Sequence, residues 1–170
     1  RLYDLFGENS PTMFVTRHAS RAARGWPVES VRAAAALAAP TLADNVLPYA
    51  RREIEQHRAE GRAVVLATTT PRQILEPFAE LLGFDDVIAT NYGHDGDTFD
   101  GRVIGEFVWG RAKARAVAAW AAEHGVELGD SSAYSDSYYD VPLLSIVGRP
   151  HAVNPDPRLA MIAVLRRWPI

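Results

Sequence analysis

Two aspartates, Asp136 and Asp140, stand four residues apart in YSDSYYDVPLL, after a small apolar stretch and before an apolar run. Neighbouring carboxylates repel unless a cation or a proton relieves them. A hard cation such as Mg2+ suits one or two carboxylates completed by waters and a substrate phosphate. Asp136 follows the strand-like SSAYS and caps nothing evident, whereas Asp140 precedes VPLL and suits a helix N-cap. Two other sites offer related chemistry. Thr68 and Thr70 end the run AVVLATTT, where hydroxyls beside a helix start favour phosphate. Thr70, just ahead of Pro71, is also a natural N-cap. Lys113 lies in the first turn of a helix beginning near Gly110, where a cation opposes the helix dipole. It is either a solvated surface lysine or a group that reaches over a sheet edge to a bound anion. Hydroxyl, ammonium and paired carboxylates together make a phosphoryl-handling set, more specific than any one of them.

These groups must be carried by elements whose order is legible. WPVESVRAAAALAAPTLADN has helical spacing, with Pro40 expected to kink or end it. Pro48 fits the first turn of a second helix that stops at Gly61. From there the pattern becomes strand (63–69), helix (71–83), strand (86–90), a turn-rich hairpin to Gly105 and a helix (110–125). A short strand at SSAYSD, a short helix, a last strand at HAVN and a last helix follow. The alternation predicts an α/β fold: a doubly wound, Rossmann-like parallel sheet with helices on both faces, plus a small helical cap. In such sheets ligands collect outside the carboxyl ends of the strands, where Thr68 and Asp136 fall.

Composition narrows the classes. The chain has 170 residues, 48% hydrophobic and 23% charged, enough for one well-cored domain. A net charge of −3 gives no reason to expect nucleic acid as a partner. Without cysteine, any metal must be held by oxygen or imidazole. His18, His57, His94, His124 and His151 are scattered without metal-ligand spacing. No apolar run of roughly 18 residues predicts membrane insertion, and cytoplasm is the default location.

VVLATTTP, GRAK and YSDSYYDVPLL, followed by HAVNPDPRL, resemble successive motifs of the haloacid dehalogenase superfamily, in its phosphoserine phosphatase-like branch. The likeness covers about residues 61–160. It implies a Mg2+-dependent phosphatase that acts on a small phosphorylated substrate through an aspartyl-phosphate intermediate. Thr68 and Thr70 would bind the phosphate, and Lys113 would neutralise its charge. Asp136 would bind the metal, and Asp140 would orient Lys113 or a metal-bound water. Residues 1–47 resemble the family's helical cap, leaving 48–170 as an α/β core without its first strand.

The family's first motif, a strand ending in Asp-x-Asp, has no match here. Asp4 is followed two residues later by Phe6, and Asp95 and Asp97 read as hairpin turn residues with no strand leading into them. The chain opens RLYDLF without an initiator Met, so the nucleophile is expected upstream, with this segment alone inactive. The alternative is a non-catalytic module of the same fold that binds a phosphorylated ligand or a protein partner.

Overall fold

The computed structural model describes residues 18–170. The chain divides into two compact units, one running to Phe107 and the other from Val108 onward.

In the first unit, helix α1 (Val28–Asp44) continues past Pro40. Its buried residues, Ala35, Ala39 and Ala43, lie four apart on one face, and the helix packs on α3 (Arg72–Leu82). Small residues allow close approach, and Pro40 sits on the exposed side. Tertiary packing on both sides of the proline therefore offsets the lost hydrogen bond, and the expected end at Pro40 does not occur. Arg32 and Glu76 join the two helices by an ion pair of 3.2 Å. Helix α2 (Pro48–Ala59) starts at its proline, and Gly61 follows with a φ of 73°.

Strand β1 (Val65–Pro71) pairs in parallel with β2 (Asp86–Asp95), which returns antiparallel as β3 (Thr98–Ile104). The order is β1-β2-β3. Ala79 of α3 packs on Val87 and Ala89 of β2, with Leu66 and Phe84 at the margin. Tyr92 meets Phe99 edge-on across the hairpin at 6.1 Å. Contrary to the sequence expectation, a strand does lead into Asp95, because β2 continues unbroken from the sheet into the hairpin.

The second unit holds α4 (Arg111–Glu123), β4 (Ser132–Ser135), the single turn α5 (Val141–Leu144), β5 (Arg149–Ala152) and α6 (Pro157–Arg166). β4 and β5 pair in parallel from Ser132↔Arg149 to Ser135↔Ala152. Leu144, Ala152, Leu159 and Ala163 are fully buried together, walled by Ala133, Tyr138, Val141 and Trp168. Each leucine contributes roughly 1.5–3 kcal/mol by leaving water. β5 begins at Arg149 rather than His151; Pro150 obscured its start, since proline is scarce in strands. The α/β class and the parallel strand pairs are as the sequence predicts. Among the described residues no helix is long and apolar enough to cross a membrane.

Candidate active site

Helix α4 starts after Gly110, whose φ of 56° and ψ of −124° suit glycine. Lys113 follows in the first turn, and it is no surface lysine: only 5% of it is exposed. Its Nζ donates to Asp140 Oδ2 at 2.9 Å and lies 2.8 Å from Oδ1. Ser135, the last residue of β4, also donates through Oγ to Asp140 Oδ2 at 2.8 Å. The Ser135 Oγ in turn accepts from the backbone N–H of Ser137 at 3.1 Å. A continuous polar chain thus runs from the loop backbone through Ser135 to Asp140 and Lys113. Such a chain polarises its members, and burial strengthens each bond. The carboxylate also supplies the counter-charge that a buried cation near a helix N-terminus requires.

Asp140 occupies the N-cap position of α5 without making a side-chain cap bond. Its carboxylate is spent on Lys113 and Ser135, so the capping half of the expectation fails. The tight turn Tyr138–Asp140 is capped by Ser137, whose Oγ accepts from the Tyr139 N–H at 3.3 Å.

Asp136 lies just past the end of β4 and is exposed. Its backbone carbonyl accepts from Asp156 N–H at 2.8 Å. An exposed carboxylate at a strand's carboxyl end suits a hard cation as one oxygen ligand. Among the described residues no cluster of three metal-ligating side chains occurs. The described residues would fit Mg2+ only in the form that relies on waters and a substrate phosphate, to which Asp136 could contribute one oxygen.

Thr68 and Thr70 sit at the end of β1. Thr68 Oγ1 accepts from the Thr70 N–H at 3.2 Å, closing a local turn. Thr70 is not the helix cap. β1 extends through Pro71, paired with Thr90, and Pro71 itself takes the N-cap position. Sheet pairing outcompetes the local capping signal here. The Oγ1 of Thr69 between them is buried and unbonded. Arg72, next in the chain, makes an ion pair to Asp86 of 3.1 Å and a hydrogen bond to the Val87 carbonyl.

Two contributors escaped the sequence reading. Ser135 looked like an ordinary strand residue, and nothing local marked its partner. Asp156 did carry a signal, since Asp before Pro157 is an N-cap pattern, and its side chain accepts from Arg158 N–H and Leu159 N–H. Among the histidines, His124 stacks on Trp120 at 4.3 Å and His151 on Tyr134 at 4.6 Å. Trp109 packs on Tyr139 at 4.6 Å.

A family model described as haloacid dehalogenase-like hydrolase matches residues 3–145. The inhibition of morphological differentiation protein of Streptomyces azureus is 44% identical over 153 residues, covering 86% of this chain and 53% of that protein. Phosphoserine phosphatase SerB1 of Mycobacterium tuberculosis is 39% identical over 129 residues, covering 76% of this chain and 42% of its own. A crystal structure of a protein of unknown function from Bordetella pertussis Tohama I superposes with a TM-score of 0.78. It is 27% identical, covering 98% of this chain and 76% of that one. The chain thus spans about half the length of the curated relatives it matches.

Proposed function

Since this chain belongs to the haloacid dehalogenase-like hydrolases, we propose that it contributes the phosphoryl-binding half of a phosphatase acting on a small phosphomonoester. The observation that carries the reading is the buried Lys113, aimed by Asp140 and Ser135. A desolvated ammonium is expensive to keep, and its electrostatic effect on a phosphoryl group is correspondingly large. An ammonium has three N–H donors. Its pairing with Asp140 leaves capacity for a phosphoryl oxygen.

In this proposal Asp140 acts through Lys113, holding its charge and its direction. Thr68 supplies a hydroxyl donor to a phosphoryl oxygen, with Thr70 beside it; these two roles rest on motif order. Asp136 holds Mg2+, which when bound supplies further positive charge against the phosphoryl oxygens. An aspartate from a segment preceding residue 1 attacks phosphorus and breaks the P–O bond to the substrate's alcohol, which leaves with a proton. Water then hydrolyses the aspartyl phosphate, releasing inorganic phosphate and restoring the carboxylate. This segment by itself is then inactive. Helices in residues 1–47 serve as a cap over the substrate; of these residues, 1–17 lie outside the described part. The name of the mycobacterial relative favours phosphoserine among small phosphomonoesters as the first to test.

The test is Asp136→Ala in the full-length enzyme, assayed against phosphoserine and other small phosphomonoesters over a Mg2+ titration. Mg2+-dependent turnover is expected to vanish. Turnover at the wild-type level would remove Asp136 from the metal role.

A further inference from the structure

One side chain outside the groups assigned above grips the loop from Asp136 to Asp140. Asp156 Oδ1 accepts from the backbone N–H groups of Arg158 and Leu159 at 2.8 and 2.9 Å, which is capping of α6. Its second oxygen does something else. Oδ2 accepts from the backbone N–H of Tyr138 at 2.6 Å, midway between the two aspartates. The main chain of Asp156 adds a third tie, because its N–H donates to the Asp136 carbonyl at 2.8 Å. Arg158 lays its guanidinium over the rings of Tyr138 and Tyr139, at 5.1 and 5.8 Å from their centres. Behind these contacts α6 is anchored through fully buried Leu159 and Ala163.

We propose that Asp156 is a positioning residue that locks the Asp136–Asp140 loop onto α6. It thereby fixes where the Asp136 carboxylate points and where Asp140 meets Lys113. The inference rests on the phosphatase reading for its functional consequence, and on the hydrogen bonds alone for its geometry. Both carboxylate oxygens of Asp156 accept from backbone donors, one set on α6 and one on the loop, so the side chain ties the two together. A shift of about 1 Å at such a site costs on the order of a hundredfold in rate. A loop pinned at Asp136 and Tyr138 is protected against such a shift.

Asp156→Asn separates this role from capping. Asparagine is as good an N-cap as aspartate, so a residue that merely caps would tolerate the change. An amide, however, has only one accepting atom. Whichever way it turns, an NH2 group faces a backbone N–H, and either the loop or the helix loses its acceptor. The expected variant melts within roughly 4 °C of wild type and keeps its KM within about twofold, but loses about tenfold or more in kcat. Mn2+ affinity, followed by electron paramagnetic resonance on the metal-free full-length protein without substrate, falls several-fold. Asp156→Ser, a good cap too short to serve both partners, shows the same pattern and replaces the first variant should that one fail to fold. Wild-type kcat and Mn2+ affinity in a folded variant overturn the proposal, and so does unfolding of both variants, which would assign Asp156 to stability. A wild-type protein that binds Mn2+ yet hydrolyses no phosphomonoester sinks the phosphatase reading alone. In that case the ratio of Mn2+ affinities still decides for or against Asp156. Absence of Mn2+ binding by the wild type overturns both.

Discussion

Asp140→Ala would strand the Lys113 ammonium where little water reaches it. The two side chains are 6% and 10% exposed, and Nζ lies within 2.9 Å of both carboxylate oxygens. Breaking a buried pair from one side costs roughly 3–5 kcal/mol, because the remaining charge stays buried without compensation. Ser135 Oγ loses its acceptor in the same step, adding about 1 kcal/mol at most. For a chain of this size, about 2–4 °C per kcal/mol translates the loss into a fall in melting temperature of roughly 6–24 °C. Lys113→Met combined with Asp140→Leu removes both charges at similar volume. Such replacements are often neutral or stabilising by about 1–4 kcal/mol, so the double variant should recover most of the lost stability. Activity should be absent in both variants. Urea unfolding followed by circular dichroism and tryptophan fluorescence supplies the stabilities, and phosphomonoester hydrolysis by the full-length enzyme supplies the activities. A cost below about 1 kcal/mol for Asp140→Ala would refute the reasoning. Lys113 would then be hydrated, and the pair would behave like a surface ion pair.

Two other predictions concern stability. A Cβ on Gly148 would run into the backbone carbonyl of Gly129, so Gly148→Ala should cost about 1–3 kcal/mol in a thermal melt; a variant melting with the wild type would refute this. Asp100 is held below the usual carboxylate range, chiefly by its side-chain hydrogen bond from Arg102, then by the Arg102 backbone N–H. A lowered folded-state value means that the stabilisation is complete above the ordinary carboxylate value of about 4 and is lost as pH falls through the lowered one. The stability difference between wild type and Asp100→Asn should therefore stay constant from about pH 7 to 5 and shrink in stronger acid. A difference independent of pH down to about 2 would count against it.

The elements were largely legible because their signals are local. Pro48 at a helix start and Gly61, Gly83 and Gly125 beyond helix ends act within a turn of the residues they terminate. The misreadings arose where distant partners prevailed. Pro40 looked like a stop, but packing of Ala35, Ala39 and Ala43 on a neighbouring helix carries α1 through it. Thr70 looked like a cap, but pairing of Pro71 with Thr90 draws the strand past it. Asp156 could have been marked from its position ahead of Pro157, although nothing in the sequence says that its second oxygen reaches Tyr138.

For the candidate site, sequence alone determined the chemical inventory and its order: hydroxyls at Thr68 and Thr70, an ammonium at Lys113, carboxylates at Asp136 and Asp140. Resemblance to the family's motifs already implied different tasks for the two carboxylates, but neither their burial nor their partners followed from the sequence. Tertiary structure decided both. Asp140 is buried against Lys113, 27 residues away in the chain, while Asp136 remains exposed beyond β4. Charge pairing and desolvation depend on separations of a few ångströms in space, and spacing along the chain does not specify those. In the folded chain one carboxylate holds the lysine and the other stays exposed to solvent.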